Sequence, residues 1–189
     1  MESIGANDER VVSAQIGRPP RGVLGIPVRC SYGYPQVLRV SPLVDGSPFP
    51  TLFWLSCPYL SKAIARLEAD GWVGRLERRL ASDPKLGAEM NAAHVRYIGL
   101  RAAELGSGGC RSMASSGMAA SLLERGIGGI ADRRRLKCLH LHVAHALADA
   151  NPIGAIVLEM LGERECDVEQ GICSALSEGG ADRMDRIDR

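Results

Sequence analysis

The sequence predicts an α+β fold: a small antiparallel sheet of about three strands near the N-terminus, packed with four to five helices. Short runs rich in β-branched and aromatic residues alternate with Gly- and Pro-rich turns over residues 23–56. From there to about residue 161, apolar residues recur at the three- and four-residue spacing of amphipathic helices. The 189 residues are 46% hydrophobic and 24% charged, a balance typical of a globular domain with its own core.

Three short strands are predicted at residues 23–28, 34–40 and 51–56, joined by the turn sequences "SYGYP" and "SPLVDGSPFP". Cys30 closes the first strand and Cys57 closes the third. In an antiparallel meander these two strands end at the same edge of the sheet. We therefore expect both thiols at one end of the sheet, about two strand spacings of about 4.8 Å apart.

The helical part begins with "CPYLSKAIARLEADGWV", which predicts a helix that ends before Gly71, and "VGRLERRLASDP" predicts a second. A third begins with Asp83 as N-cap and Pro84 at the first position, and ends at Gly106 before a small-residue loop. We predict a fourth helix over residues 132–150.

The domain organisation expected from these patterns has three parts. Residues 1–16 form a flexible polar leader, residues 17–161 a single globular domain, and residues 162–189 a partly disordered tail. No run of eighteen apolar residues and no secretion signal are present, so we expect a cytoplasmic protein without membrane insertion. A net charge of +1 and only 4% aromatic residues argue against nucleic acid as the partner.

The predicted fourth helix, within "RRRLKCLHLHVAHALADANP", carries one cysteine and three of the four histidines of the chain. At about 100° per residue, Cys138, His142 and His145 lie within about 60° of one another, whereas His140 lies on the other side. A Cys and a His four positions apart on one helical face can reach a single metal ion. The alternative interpretation is an ordinary helix face with a core cysteine.

Four motifs, "RPPRG", "RCSYGYPQV", "PFPTLFWLSCP" and "KCLH…AH…NPIG", occur in the order in which they appear in a bacterial family catalogued as domain-of-unknown-function family 501. The chain resembles that family over roughly residues 17–154, and the family has no established activity. The resemblance implies that the pattern includes five residues, Cys30, Cys57, Cys138, His140 and His145. His142 is less clearly part of it, and Tyr32 stands where relatives often carry another cysteine, so the choice of imidazole stays open. His145 is favoured by both the helical face and the motif, whereas His140 is favoured by the motif alone and would need Cys138 to precede the regular helix.

Together these features predict a metal site formed by Cys30, Cys57, Cys138 and one of the histidines. Three thiolates and an imidazole fit tetrahedral zinc, which is the leading expectation. Three cysteines also fit a four-iron four-sulfur cluster with one iron left open, which is the alternative. An open coordination position would make the protein an enzyme, a question that the sequence leaves undecided.

The remaining cysteines and the fourth histidine are interpreted as ordinary residues. Cys110, Cys166 and Cys173 fall in the predicted loop or tail and are taken as incidental thiols. His94 is expected on the surface of the third helix, with a role as a base at the site as the alternative.

A second class of function comes from "GIGGIADRRR", where glycines precede the predicted helix and arginines occupy its first turn. Backbone amides at a helix N-terminus together with arginines can hold phosphate groups and other anions. The stronger interpretation of the same pattern is structural: a turn at the two glycines, Asp132 as the helix cap, and solvent-exposed arginines. The alternative is a non-enzymatic interaction module that uses this turn to bind an acidic protein or a phosphate-containing ligand. Its residues would be Gly128, Gly129, Arg133, Arg134 and Arg135.

Overall fold

The computed structural model describes the backbone of residues 4–114, 120–167 and 171–174, and the side chains of these residues except 107–114 and 120–121. Strands β1 (Val23–Arg29) and β2 (Pro35–Val40) pair antiparallel. After a small hairpin of β3 (Leu43–Val44) and β4 (Ser47–Pro48), strand β5 (Phe53–Leu55) pairs with the other edge of β2. The three-stranded order is β1-β2-β5, and helices follow, so the predicted α+β fold is confirmed.

The central position of β2 follows from its side chains, because five of its six residues are buried. The β3–β4 hairpin turns at Asp45 and Gly46, which adopt φ angles of 51° and 75°. Two successive positive φ angles are the requirement of the tight turn that Asp-Gly favours.

Residues Ala6–Ile16 form helix α1, where we expected a flexible polar leader. Val11 and Val12 are fully buried, and Val12 packs against Leu38 and Val40 of β2. Val12 therefore docks this helix on the sheet, together with the ion pair between Asp8 and Arg29 of β1. Of the expected C-terminal tail, residues 162–167 and 171–174 are described, and the rest lies outside the described residues.

Helices α2 (Pro58–Ala69) and α3 (Trp72–Ser82) agree with the prediction. Helix α4 (Pro84–Ala114) begins as predicted, with the carboxylate of Asp83 accepting a hydrogen bond of 3.0 Å from the Leu86 amide. Gly106 breaks it with φ 62°, but helical backbone resumes afterwards, where we expected a loop.

The predicted helix over residues 132–150 was wrong in its first half. Helix α5 spans Leu139–Ala148, and Cys138 before it has extended backbone angles of φ −161° and ψ 157°. Helix α6 (Pro152–Leu161) follows, and the chain bends by 97° between α5 and α6. The Asn151 side chain caps α6 by accepting a 2.8 Å hydrogen bond from the Gly154 amide. A Cβ on Gly154 would lie 2.0 Å from the carbonyl oxygen of His142, so only glycine permits this close approach of α5 and α6.

The main core lies between the helices and one face of the sheet, to which β5 contributes. Val143 and Ala144 of α5, with Ile153 and Val157 of α6, belong to the same buried cluster as Phe53 of β5. Within the described residues no single helix is long and apolar enough to cross a membrane; α5 and α6 together pass that test by length and composition, as a pair bent by 97°.

Candidate metal centre

Cys138 occupies the extended residue immediately before α5 and is half-buried. Its position is set by two carboxylates that bind the neighbouring backbone. Glu77 accepts a 2.8 Å hydrogen bond from the Leu136 amide, and Glu68 accepts one of 2.5 Å from the Leu139 amide. Glu68 comes from the end of α2, and its negative charge lies at the N-terminus of α5, where the helix dipole favours an anion.

His140, in the first turn of α5, turns its ring toward α2. Its Nε2 lies 3.1 Å from the carbonyl oxygen of Ser61, and its Nδ1 lies 3.1 Å from the same Glu68 oxygen that binds the Leu139 amide. A carbonyl oxygen can only accept, so Nε2 carries a proton and Nδ1 is the nitrogen directed at Glu68. The hydrogen bond with Cys138, followed by the charge of Glu68, raises the pKa of His140 to about 9.

Glu68, Cys138 and His140 thus form a cluster in which each residue offers one ligand atom and all three atoms lie within 4.8 Å of one another. All three side chains are half-buried. Cys138 and His140 also line a cavity of about 340 Å³ together with Ser61, Trp54 and Leu141. The cluster is therefore open to a small ligand on one side.

His142 and His145 lie on the opposite, buried side of α5. The Asn151 side-chain nitrogen lies 3.2 Å from Nδ1 of each of them. The His145 ring stacks on Phe53 at 5.8 Å between centroids and meets the edge of Tyr97 at 4.8 Å. Burial lowers the pKa of His142 to about 3 and that of His145 to about 4, so both rings are neutral core residues.

This arrangement corrects the helical-face argument. Because Cys138 is extended rather than helical, the 100° rotation per residue does not apply between it and the histidines. The imidazole that reaches the thiol is that of His140, which the helical projection had placed on the far side.

Cys30 and Cys57 lie elsewhere. Cys30 follows β1 and its amide donates to the carbonyl oxygen of Tyr34, just before β2. Cys57 precedes α2 and its amide donates to the carbonyl oxygen of Gln36 in β2. As the meander topology predicts, both thiols line one cavity, of about 340 Å³, at one end of the sheet. Cys138 lines a different cavity, so the structure divides the predicted ligands between two places.

The tail cysteines join the first of these places. Cys166 and Cys173 line the same cavity as Cys30 and Cys57, although they were interpreted as incidental thiols. All five cysteines whose side chains are described are free thiols. Cys110 lies outside the described side chains.

A model of the family described as "Protein of unknown function (DUF501)" matches residues 26–159. The chain belongs to this family. The match contains both Cys138 and His140, as well as Cys30 and Cys57, but it ends before Cys166 and Cys173. No curated protein and no solved structure matches the chain.

In this DUF501 protein the arginine turn is not at a helix N-terminus, because α5 begins only at Leu139. Arg133 donates to the carbonyl oxygen of Glu124, Arg134 pairs with Asp132, and Arg135 pairs with Glu77. Gly128 and Gly129 adopt φ angles of 64° and 81° in a turn, and the Gly128 carbonyl accepts from Lys137. The geometry that favoured an anion at this turn is therefore absent from the described residues.

Two residues of the DUF501 chain depart from the sequence interpretation. Glu68 was missed, since a single acid in the last turn of an amphipathic helix gives no signal that it meets a cysteine seventy positions later. His94, expected on the surface, is fully buried, and its Nδ1 accepts a 3.1 Å hydrogen bond from the Ile127 amide. Burial lowers the pKa of His94 to about 4.

Proposed function

We propose that this DUF501 protein binds a divalent metal ion, with zinc as the preferred ion, through Glu68, Cys138 and His140. The observation that carries the proposal is the convergence of a carboxylate, a thiol and an imidazole from two separate segments within 4.8 Å. A thiolate, an imidazole and a carboxylate are the three ligand types that zinc accepts in proteins.

The distances support an ion of this size. Zinc binds sulfur at about 2.3 Å and nitrogen or oxygen at about 2.0–2.2 Å, so ligand atoms in a tetrahedron lie about 3.3–3.8 Å apart. The three ligand atoms here lie within 4.8 Å of one another, and Nδ1 of His140 lies 3.1 Å from the Glu68 oxygen, so their separations are close to that range.

The hydrogen bonds around His140 prepare the ring for this role. A histidine ligand usually donates its second ring N–H to a carbonyl or carboxylate, which fixes the tautomer and orients the ring. The Ser61 carbonyl lies 3.1 Å from Nε2 and performs that task, which leaves Nδ1 directed toward the cluster. In the metal-free protein a proton occupies Nδ1, and the ion replaces it.

The same arrangement disfavours a nucleophilic cysteine triad. In such a triad one ring nitrogen binds the nucleophile and the other binds the orienting carboxylate. Here Nε2 is directed at the Ser61 carbonyl, and Nδ1 alone is directed at Glu68. Metal binding explains the positions of both ring nitrogens, since Nε2 donates to the Ser61 carbonyl and Nδ1 is directed at the cluster. A triad explains only the contact of Nδ1 with Glu68.

A zinc ion held by three protein ligands would keep a fourth position, and Cys138 and His140 both line the cavity beside Trp54 and Leu141 from which a water or substrate could reach it. In catalytic zinc sites a water or substrate takes such a position, and the ion lowers the pKa of the bound water. We infer that the DUF501 cluster is a site of this three-ligand type, in a protein that works in a reducing compartment.

The test is zinc binding by tag-free protein purified under reducing conditions. Glu68→Gln, Cys138→Ser and His140→Gln should each weaken zinc binding by about 10- to 100-fold or more, as measured by competition with a chromophoric chelator.

Glu77→Gln is the matched control, because Glu77 also accepts a backbone amide of this segment but lies outside the cluster. Zinc affinity unchanged in Glu68→Gln, Cys138→Ser and His140→Gln, with the wild-type fold retained, would rule the proposal out.

A further inference from the structure

Four cysteines from three distant parts of the chain surround one cavity at the end of the sheet. Cys30 comes from the β1–β2 turn, Cys57 from the start of α2, and Cys166 and Cys173 from the segment after α6. Cys57 and Cys173 are buried, and Cys30 and Cys166 are half-buried. The cavity has a volume of about 340 Å³ and lies apart from the Glu68–Cys138–His140 cluster.

The segment after α6 is held over the cavity by side chains of three different elements. Glu165 accepts hydrogen bonds from the amide and the hydroxyl of Ser31, at 3.0 and 2.5 Å. The Gln36 side chain donates to the carbonyl of Arg164 at 2.8 Å, and the Tyr59 hydroxyl donates to Glu163 at 3.1 Å. These bonds position the cysteine-bearing segment independently of any contact between the thiols.

A fourth contact involves a thiol directly. The side-chain nitrogen of Gln15 in α1 lies 3.2 Å from Sγ of Cys173 and donates to it. The same nitrogen donates to the carbonyl oxygen of Pro35 at 2.8 Å. Donors to sulfur of this kind stabilise the thiolate form that metal ligands require.

The four thiols line one cavity without being packed together. Among the described residues, the group of three ligand atoms that lie within 4.8 Å of one another is Glu68, Cys138 and His140, so no three of the four cavity sulfurs are that close. An occupant that binds all four must therefore span the cavity.

We propose that Cys30, Cys57, Cys166 and Cys173 form a second, all-cysteine metal centre that binds a thiophilic metal. Four thiolates are the donor set of structural zinc sites and of iron–sulfur clusters. The proposal does not depend on the Glu68–Cys138–His140 site, with which it shares no ligand. Glu165 and Asp167 also line the cavity, and their negative charges attract a cation to its mouth.

The separation of the sulfurs favours a cluster over a single ion. In a mononuclear zinc site the four sulfurs meet about 3.8 Å apart around one atom. Here no three of them lie within 4.8 Å of one another, so a cluster of several metal atoms fits the four thiols better than one ion does. Both occupants share the same thiolate chemistry, and the experiment distinguishes them.

The experiment is metal titration of reduced, metal-free full-length protein without oxygen. Co²⁺ is the first probe, because sulfur-to-cobalt charge-transfer absorption grows with the number of thiolate ligands. Fe²⁺ with sulfide is the second probe, and a brown chromophore that survives gel filtration identifies a cluster. Zn²⁺ competition against Co²⁺ measures the affinity of a single-ion site.

The variants are Cys30→Ser and Cys166→Ser, which alter half-buried positions, together with Cys173→Ser. Cys138→Ser is the matched control, because it removes the ligand of the other cluster and leaves these four thiols in place. In Cys138→Ser we expect the intense charge-transfer band to persist. In the three cavity variants we expect the band to be lost or the Co²⁺ affinity to fall by about tenfold or more. Circular dichroism checks that each variant is folded.

A charge-transfer band or chromophore of wild-type intensity in folded Cys30→Ser and Cys166→Ser would overturn the proposal. So would wild-type protein that takes up only the one ion whose binding Cys138→Ser abolishes. Failure of the Glu68–Cys138–His140 proposal looks different, since it leaves the cavity band intact and affects only the ion of Cys138.

Discussion

Helix α5 presents two kinds of histidine, and its two faces behave in opposite ways. On the outward face, His140 is about 30% exposed and lies beside an acid and a thiol, which raise its pKa to about 9. On the inward face, His145 is fully buried against aromatic rings, and burial lowers its pKa to about 4. The same residue type five positions apart is thus a candidate ligand on one face and a core residue on the other.

The largest expected effect that separates the two faces is the dependence of stability on pH. The folded-state pKa of His145 and of His94 is about 4, below the ordinary value of 6.5. The unfolded chain therefore takes up protons first as the pH falls. The stability from these neutral rings is present above about pH 6.5 and is lost progressively toward pH 4, at up to about 1.4 kcal/mol per pH unit for each ring.

At His145, Asp149 offsets part of this loss and Arg96 adds to it. At His94, a hydrogen bond with the Arg133 backbone offsets part of the loss, and the charge of Arg133 adds a smaller amount to it. The measurement is urea unfolding at a series of pH values in the presence of a chelator. For His140, whose folded pKa is raised, the sign is opposite: its contribution is present below pH 6.5 and is lost as the pH rises through about 9. If the free energy of unfolding of His140→Gln fell between pH 6.5 and 9 as steeply as that of wild type, this difference between the faces would be contradicted.

The next largest effect is the truncation of the buried ring. His145→Ala removes the stacking on Phe53 and the edge contact with Tyr97 and leaves a cavity in the core. We expect a loss of about 3 kcal/mol in the free energy of unfolding. Chemical denaturation at pH 7.5 measures it, and a loss below that of His140→Ala would show that the inward face is not the structural one.

Of the two faces of α5, only the outward one should contribute to stabilisation by zinc. At a free zinc concentration of 100 times the dissociation constant, binding at one site adds about 2.7 kcal/mol to the free energy of unfolding. Thermal unfolding with and without zinc should show this contribution in wild-type protein and in Asn151→Ala, and a gain smaller by that amount in His140→Gln, where only the cysteine cavity can still bind the ion. An equal gain in wild type and His140→Gln would show that the outward face binds no zinc.

Asn151 joins the inward face to α6, and Asn151→Ala is expected to lower the free energy of unfolding by about 2 kcal/mol. Its side chain caps α6 through the Gly154 amide and lies 3.2 Å from Nδ1 of both His142 and His145. Asn151→Asp tests the two roles separately, because an aspartate retains the cap and loses the donor to the rings. A variant as stable as wild type would show that the cap alone matters.

The smallest effect is expected for the outward face without metal. In the presence of a chelator, His140→Ala removes half-exposed hydrogen bonds to Ser61, Glu68 and Cys138, a loss of about 1 kcal/mol. Combined with the smaller gain from zinc, this small loss would identify His140 as a residue kept for binding. A loss as large as that of His145→Ala would make it a structural residue.

Much of the framework was predictable because its signals are local. Gly and Pro turns between β-branched runs predicted the three strands, and the cap at Asp83 predicted the start of α4. The meander topology was enough to bring Cys30 and Cys57 to one end of the sheet. The start of α5 was not predictable, since the arginines and Leu136 continue a helical pattern that the Glu77 and Glu68 hydrogen bonds interrupt.

The sequence by itself determined which residue types bear chemistry and that they are carried by an α+β framework of this DUF501 family. Only the tertiary structure decided their partners. Glu68 lies close to Cys138 because α2 and α5 pack against each other. Cys166 and Cys173 line the same cavity as Cys30 because the segment after α6 folds back over the end of the sheet. Contacts between residues seventy to more than a hundred positions apart depend on packing of whole elements, and periodicity within one element carries no information about them.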